Sequence, residues 1–220
     1  MKKIAIFDLD ETLDKEDIFK RFILKVFLIT PKKWMYLPIL TLKYLQFILK
    51  LNNFSRSDLK VFLIKLIFKN QDKNFLEKFS QNFVKPRFKK KINQKVLKEL
   101  LNKKKSNYHL ILATGSLDIY AKFYKQNFKF DYLISSKLEI KNDTYSGNLI
   151  NGNCIKKIKY KEVNKYLNRN GLSWNNVTFY SDHINDMCIF KRSKKSYVIK
   201  PNRCLLKTLI RKRITFEIID

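Results

Sequence analysis

The chain contains few of the residues that define several protein classes. Its 220 residues include three cysteines, and Cys154, Cys188 and Cys204 are scattered without metal-ligand spacing. This odd set excludes a disulfide framework and indicates reduced thiols in a reducing compartment. Glycine and proline occur four times each, and no internal repeat or low-complexity linker is found. Met1-Lys2-Lys3 leads directly into an apolar strand, so we expect no signal peptide and a cytoplasmic protein.

Acidic residues are scarce as well, with 19 aspartates and glutamates against 47 lysines and arginines and a formal net charge of +28. A nucleic-acid-binding protein would also be basic. Lysines outnumber arginines 39 to 8, however, and they are spread over the chain without a recognised nucleic-acid-binding module. Nucleic acid is therefore only a secondary candidate partner.

The first apolar strand ends in two aspartates. Ile4–Phe7 suits a buried parallel strand, and Asp8 and Asp10 follow it at a spacing of two, with Thr12 close behind. In open α/β sheets ligands bind at the carboxyl ends of the strands, where two carboxylates repel each other and are costly to desolvate. A divalent cation would relieve that cost. Asp10 or Thr12 could instead cap the helix that comes next, and both interpretations fit this segment taken alone.

A second apolar strand, predicted over 177–181, also ends in acidic residues. Asp182 follows it directly, and Asp186 comes four residues later. If a helix begins just after Asp182, Asp186 lies in its first turn and can point back at the strand end. His183 lies between them, and we expect it to be a spectator because Asp10 already offers an acid–base group.

Two further segments have features that suit phosphate binding. Thr114, Gly115 and Ser116 end the strand predicted over 109–113, and a hydroxyl beside exposed backbone N–H groups can hold phosphate oxygens. A lysine-rich stretch begins a later amphipathic helix, where most such lysines form a solvated face. Its candidates are Lys156, Lys157 and Lys159.

In this order the four segments resemble the motifs of the haloacid dehalogenase superfamily of phosphohydrolases, from residue 4 to about residue 205. The resemblance is closest to the subfamily that has a helical cap inserted after the first motif and that contains the phosphoserine phosphatases. Residues 113–116 and 180–182 are similar to those of a branch that includes bacterial phosphatidylglycerophosphate phosphatases. Two residues depart from the pattern, because Glu11 and Lys156 stand where relatives commonly have glycine. Lys159 matches the motif spacing, but the phosphate-binding lysine could also be Lys156 or Lys157.

The resemblance implies a Mg²⁺-dependent phosphomonoesterase that works through an aspartyl-phosphate. Asp8 would be the nucleophile and Asp10 the general acid and base, with a pKa raised by its neighbours Asp8 and Glu11. Mg²⁺ would be held by the carboxylates of Asp8 and Asp182 and the backbone carbonyl of Asp10, with Asp186 orienting these ligands from behind. The phosphoryl oxygens would be bound by Thr114, Gly115 and Lys159.

Two residues could set the choice of substrate. Asp17 lies nine residues after Asp8, near the position where phosphoserine phosphatases have a glutamate that contacts the substrate amine. Arg56 could line the cap side of the pocket. Alternatively, Asp17 only favours the start of a helix through its dipole, and Ser55 or Ser57 beside Arg56 only caps the next helix.

We expect an α/β fold, namely a doubly wound parallel-sheet core of the Rossmann-like type that the resemblance implies, with an inserted helical C1-type cap. The catalytic core would comprise residues 1–13 and 87–220, and the cap residues 14–86. Helices are predicted at 15–29, 32–51, 56–69 and 72–84 in the cap, and at 117–127, 156–169, 184–191 and 203–211 in the core. Core strands are predicted at 109–113, 131–135, 177–181 and 196–199, with a hairpin over 137–150 that turns at Asn142-Asp143.

The cap is unusually apolar and basic. Within residues 22–49 the longest uncharged run, Trp34 to Leu42, has nine residues, whereas a spanning helix needs about 20. No conventional transmembrane span is therefore expected. The helices could lie at a membrane surface, with apolar side chains inserted and ammonium groups near anionic headgroups. They could also form a cap core whose lysines simply face water.

These patterns leave the substrate open. A membrane surface would favour a phospholipid such as phosphatidylglycerophosphate, whereas a soluble cap would favour a small metabolite such as phosphoserine or histidinol phosphate. Transfer of the phosphoryl group to an alcohol instead of water fits the same motifs. The alternative from another class is a basic nucleic-acid- or membrane-binding protein on an inactive phosphatase scaffold. Such a scaffold, however, has no need of Asp8, Asp10, Thr114 and Asp182 together.

Overall fold

A computed structural model describes residues 2–220. Its strands are β1 (Ile4–Phe7), β2 (Gln71–Asp72), β3 (His109–Leu117), β4 (Tyr132–Lys141), β5 (Thr144–Ile150), β6 (Val177–Ser181), β7 (Lys195–Ile199) and β8 (Glu217–Ile219). They form an eight-stranded sheet in the order β2-β5-β4-β3-β1-β6-β7-β8. Six neighbouring strands are parallel, namely β4, β3, β1, β6, β7 and β8. The strands β5 and β2 add an antiparallel edge. The expected parallel sheet is confirmed.

Ten α-helices surround this sheet within residues 2–220. They are α1 (Ile18–Leu28), α2 (Leu37–Ile48), α3 (Arg56–Phe68), α4 (Lys73–Val84), α5 (Arg87–Lys90), α6 (Gln94–Lys105), α7 (Asp118–Phe128), α8 (Lys156–Arg169), α9 (Met187–Phe190) and α10 (Arg203–Arg211). The predicted hairpin is confirmed, and Asn142 and Asp143 at its turn both have positive φ.

Two predicted helices are wrong in their bounds. The helix expected over 32–51 begins as a 3-10 turn, Pro31–Tyr36, and becomes α-helical at Leu37, where Pro38 occupies the first turn. The helix expected over 184–191 is a 3-10 turn, Ile184–Asp186, followed by the four-residue α9. The strand expected over 131–135 runs without a break into the hairpin, so that β4 extends to Lys141.

The sheet has an apolar layer on each face. Alternation along β1 places Ala5 and Phe7 in one buried cluster, and Ile4 and Ile6 in the other. Helices α1, α3, α4, α6 and α7 contribute side chains to the first cluster, and α8, α9 and α10 to the second. Helices on both faces of a parallel sheet are the doubly wound arrangement that the sequence predicts. The three cysteines are free, which agrees with the expected absence of disulfides.

The inserted segment 14–86 has an attached part and an exposed part. Its later elements lie on the core, since β2 pairs with β5 and Glu77 of α4 forms a 2.8 Å ion pair with Lys122 of α7. The turn Pro31–Tyr36 and α2, by contrast, contain no buried side chain. None of the helices formed within residues 2–220 combines the length and the hydropathy of a bilayer-spanning segment. The division into a core and a cap at residues 14 and 86 stays a prediction.

Candidate active site

The carboxyl ends of β1, β3 and β6 meet at one edge of the sheet, because β1 lies between β3 and β6. Asp8 follows β1, Thr114 lies in β3, and Asp182 follows β6. Helix α8 and the 3-10 turn after β6 bring Lys159 and Asp186 to the same edge. The structure therefore gathers the predicted residues of four distant segments.

Asp8 and Lys159 form a buried charge pair at the centre of this group. Lys159 Nζ lies 3.2 Å from Asp8 Oδ2 and 2.9 Å from Asp186 Oδ2, and the Lys159 side chain is 3% exposed. Burial raises the pKa of Asp8 well above its usual range, and the charge of Lys159 opposes that rise. Lys156 and Lys157 are exposed. Of the three lysines that the sequence leaves open, Lys159 is the one that lies at the Asp8 carboxylate.

Asp10 is held through both of its carboxylate oxygens. Oδ1 accepts a hydrogen bond of 2.8 Å from the backbone N–H of Ile18, the first residue of α1, and Oδ2 accepts one of 2.5 Å from the Ser116 hydroxyl. Asp10 thus satisfies a backbone N–H at the start of α1, although Asp17 is the N-cap residue, and its acid–base role stays a prediction. Burial raises the pKa of Asp10, the Ser116 hydrogen bond lowers it, and the charge of Asp17 raises it. The predicted upward direction is confirmed, but burial rather than the adjacent acidic residues is its main cause.

A tight turn over Leu9–Leu13 places Thr12 against Asp182. The Thr12 hydroxyl donates to Asp182 Oδ1 at 2.9 Å, and α1 is capped by Asp17 rather than by Thr12. Burial raises the pKa of Asp182 to about 7, although the hydrogen bond from Thr12 lowers it. Thr12 thus orients a carboxylate of the site.

The two departures from the family pattern share a backbone conformation. Glu11 has a φ of 54° in the turn after β1, and Lys156 has a φ of 51° at the start of α8. Both positions have the left-handed backbone that glycine adopts most easily. The fold therefore keeps the left-handed backbone at both positions, although neither residue is a glycine.

Thr114 and Gly115 are tightly packed near the end of β3. Thr114 is fully buried, and its hydroxyl oxygen accepts from the Ser116 backbone N–H at 2.9 Å and lies 3.5 Å from Asp10 Oδ2. A Cβ atom on Gly115 would lie 2.7 Å from Ile155 Cγ2. Any larger residue at Gly115 would therefore force the side chain of Ile155, which directly precedes α8, to shift.

Asp17 and Arg56, the two candidates for substrate choice, are paired with each other. Arg56 Nη2 lies 2.6 Å from Asp17 Oδ2. The capping alternatives also hold, because Asp17 Oδ1 accepts from the Lys20 N–H at 3.1 Å and Ser55 caps α3 in a capping box with Asp58. The pair therefore joins the first turns of α1 and α3 beside Asp10.

Two residues of the site were not predicted from the sequence. Lys60 of α3 donates to the Gly115 carbonyl oxygen at 2.5 Å and to Asn153 Oδ1 at 3.0 Å. Asn153 Nδ2 in turn donates to the Ser57 hydroxyl at 3.1 Å. The partners of Lys60 are 55 and 93 residues away in the chain, so no local pattern marks it.

The residues present fit a divalent cation. Asp186 is 2% exposed, and its Oδ2 accepts from Lys159 and from the Ser181 hydroxyl, but its Oδ1 has no partner. Burial raises the pKa values of Asp8 and Asp182, so a cation beside these carboxylates would favour their charged forms. Within residues 2–220 no three His, Cys, Asp or Glu side chains are arranged to hold a metal. The implied site needs two carboxylates and one backbone carbonyl.

His183 has a structural contact. Its Nδ1 accepts from the Asn185 backbone N–H at 2.9 Å, so the ring caps the turn that carries Asp186. Burial lowers the pKa of His183, although the charge of Asp186 raises it. The expectation that it is a spectator agrees with this role but is not tested by it.

Comparisons with known proteins agree with this arrangement. The model of the haloacid dehalogenase-like hydrolase family matches residues 5–191. No curated protein matches the chain by sequence. A protein of unknown function from Bordetella pertussis Tohama I has a similar structure, with a TM-score of 0.81 and 18% identity over 100% of this chain and 99% of that chain.

Two further solved structures are related to phosphoserine phosphatase. A phospho-aspartyl intermediate analogue of phosphoserine phosphatase has a TM-score of 0.62 and 16% identity, covering 96% of this chain and 98% of that chain. A phosphoserine phosphohydrolase-like protein from Francisella tularensis has a TM-score of 0.64 and 16% identity, covering 95% and 93%. At these identities the likeness shows a shared fold, and at that level the expected resemblance to phosphoserine phosphatases is confirmed.

Proposed function

Since the chain belongs to the haloacid dehalogenase-like hydrolase family, we propose that it is a Mg²⁺-dependent phosphatase that cleaves phosphate monoesters through an aspartyl-phosphate on Asp8. The observation that carries this proposal is the position of Asp8. Its carboxylate lies at the end of a central strand, 3.2 Å from the buried ammonium group of Lys159, and the fully buried Thr114 lies in the neighbouring strand β3. A nucleophile, a cation for phosphoryl oxygens and a hydroxyl donor thus share one edge of the sheet.

The first half-reaction transfers the phosphoryl group to the protein. An Asp8 carboxylate oxygen attacks phosphorus, the bond from phosphorus to the ester oxygen breaks, and Asp10 gives its proton to the leaving alcohol. Asp10 suits this role because burial raises its pKa, so that it holds a proton at higher pH than an exposed aspartate does. Lys159 and Thr114 neutralise or bind the phosphoryl oxygens during the transfer.

The second half-reaction restores the carboxylate. Asp10, now ionised, takes a proton from water, which attacks the phosphorus of the aspartyl-phosphate and releases inorganic phosphate and Asp8. Ser116 and Ile18 hold the Asp10 carboxylate in place for both steps. Mg²⁺ would be held by Asp8, Asp182 and the Asp10 carbonyl, with Asp186 in support, and would supply charge that offsets the carboxylates and the substrate dianion.

For the substrate we propose a phospholipid, such as phosphatidylglycerophosphate, at the cytoplasmic face of a membrane. The support is the basic, apolar and largely exposed surface around α2. A small soluble metabolite is the second candidate. It is favoured by the Asp17–Arg56 pair, because these two charges match the amine and carboxylate of an amino-acid phosphate such as phosphoserine.

Phosphate release from a panel of monoesters tests the proposal. The panel comprises phosphatidylglycerophosphate in mixed micelles, phosphoserine, histidinol phosphate and an aryl phosphate, each with Mg²⁺ and with EDTA. We expect Mg²⁺-dependent turnover that falls about a thousandfold or more in Asp8→Asn, because the amide cannot act as the nucleophile. Asp143→Asn in the hairpin turn is the matched control and should retain activity.

Two results would contradict the proposal. One is metal-dependent turnover that survives in Asp8→Asn. The other is no turnover of any panel member by folded protein with Mg²⁺, which would favour a phosphotransferase or a binding protein. The better substrate among lipid and metabolite decides between the two candidates.

A further inference from the structure

The surface formed by residues 24–51 is the most apolar part of the exterior. It holds fourteen of the twenty-three large apolar side chains that are exposed within residues 2–220. Met35 is 75% exposed and Leu42 is 66% exposed. Helix α2 is apolar along most of its length, yet it has no buried side chain. A helix of this composition ordinarily lies inside a core or against a partner, so this surface, here called the apolar patch, lacks its partner in the isolated chain.

The apolar patch is also uniformly basic. Residues 24–51 contain five lysines and not one aspartate or glutamate. Lys25, Lys32 and Lys50 are exposed among the apolar side chains. Trp34 and Tyr36 add aromatic rings that are partly exposed and carry a polar group. Aromatic and aliphatic side chains interleaved with lysines match the boundary between lipid headgroups and acyl chains.

The charge of the apolar patch distinguishes among the partners that it could bind. A second copy of this chain would bring five further lysines against the five of the first, without an acidic residue in either patch. A nucleic acid would satisfy the lysines but would leave the leucine and isoleucine side chains without an apolar contact. An anionic bilayer satisfies both, because phosphates meet the ammonium groups and acyl chains meet the apolar side chains.

We propose that the apolar patch docks on the surface of an anionic lipid bilayer, with α2 lying in the interfacial plane. This inference deepens the proposed function: the lipid substrate it points to rests on that function, whereas docking itself does not. Helix α3 links the two, since it packs against α2 and also places Lys60 and Arg56 at the site. If α2 lies on the bilayer, only α3, which carries Lys60 and Arg56, separates the headgroups from the site.

Vesicle binding by the full-length protein tests the inference without any turnover. Cosedimentation is measured with phosphatidylcholine vesicles and with vesicles that also contain phosphatidylglycerol. We expect binding to the anionic vesicles that weakens between about 0.1 M and 0.5 M salt. We also expect a blue shift of Trp34 fluorescence on binding, measured in a Trp174→Phe background because the chain has two tryptophans.

Matched variants assign the binding to the patch. Leu42→Ser with Leu49→Ser should weaken partitioning about tenfold or more. Leu101→Ser with Ile210→Ser, which changes two exposed apolar residues elsewhere, should leave partitioning unchanged. Equal binding by both double variants, no binding of the wild type to anionic vesicles, or a dimer that only the patch variant disrupts would overturn the inference. Docking without phosphatase activity would contradict the proposed function alone.

Discussion

Lys60 is a partly buried cation that helix α3 brings to the candidate site. Its ammonium group donates to the Gly115 carbonyl oxygen and to Asn153, and it lies 5.0 Å from the ring centre of Phe19. Burial lowers the pKa of Lys60 to about 8, although the charges of Asp10 and Asp17 raise it. A cation that is desolvated beside the site is a candidate for a function, because the loss of its hydration costs free energy of folding.

Replacement of Lys60 should therefore weaken substrate binding without lowering the stability of the fold. We expect Lys60→Met to raise the KM for a phosphate monoester about tenfold or more, because a positive charge near the Gly115 backbone is lost. The melting temperature at pH 7 should stay the same or rise. Lys60→Arg, which keeps the charge, should restore part of the KM. A melting temperature that falls steeply in Lys60→Met with KM unchanged would assign Lys60 a purely structural role.

The pH dependence of this effect has a definite sign. The folded protein binds the Lys60 proton less tightly than the unfolded chain does, so its stability rises as pH increases from about 8 to about 10. The stability that Lys60→Met gains over the wild type should therefore be larger at pH 7 than at pH 10. Thermal melts of both proteins at the two pH values measure the difference.

At the residue scale, the sequence predicts side chains placed directly after a strand and misses those that reach the site from distant segments. Asp8 and Asp182 can be inferred because an apolar run ends at each of them. Lys60 and Asn153 cannot, since no local period marks a side chain whose partners are distant in the chain. The main cause of the raised pKa of Asp10 is also missed, because burial is a property of the packed fold rather than of neighbouring residues.

At the scale of elements, a buried ion pair joins Asp14, the first residue of the predicted cap, to Arg87, the residue that follows its predicted end. Arg87 of α5 contacts Asp14, which precedes α1, through bonds of 2.7 and 3.0 Å, and the Tyr124 hydroxyl of α7 donates to Asp14 at 2.6 Å. Asp14 is fully buried and Arg87 is 7% exposed. The pair therefore fixes the return of the chain to the core next to its point of departure.

Removal of both partners should cost less stability than the sum of the two single removals. We expect Arg87→Met to lower the free energy of unfolding by about 3 kcal/mol, because it leaves the Asp14 charge buried without its cation. Asp14→Asn combined with Arg87→Met should lose less than the sum of the two single variants. Denaturant unfolding of the four proteins measures the coupling, and additive losses would show that the two residues do not act as a pair.

The sequence predicts helices and strands that are long or clearly capped, and it misses elements of two or three residues. Helix α4 is marked by its Asp72 cap and by apolar spacing, and α3 by its capping box. The strand β2 has two polar residues and exists only through its pairing with β5, and β8 has three residues that pair with β7. Pairing of this kind depends on the neighbouring strand, so the segment alone does not predict it.

At the scale of the whole molecule, a chain with a net charge of +28 nevertheless concentrates uncompensated negative charge in its site. The pKa values of Asp8 and Asp182 are raised, for Asp182 to about 7. Between pH 4 and pH 7 the folded protein therefore binds more protons at these groups than the unfolded chain does. Their contribution to stability falls as pH rises through this range.

A divalent cation should reverse this loss, which gives a prediction that needs no substrate. In EDTA we expect the stability contribution of the site to be lower at pH 8 than at pH 5, and saturating Mg²⁺ to raise the melting temperature at pH 8 by about 5 °C or more. The rise should be smaller at pH 5, where protons already neutralise part of the carboxylates. Asp182→Asn should reduce both the pH dependence and the response to Mg²⁺, because it removes one charge and one ligand. The test is a set of thermal melts at both pH values, with Asp143→Asn as control. His183 and Lys60 also titrate, so the quantity compared is the difference in melting temperature between each variant and the wild type under the same conditions. An equal Mg²⁺ response in wild type and Asp182→Asn would place the cation elsewhere on the molecule.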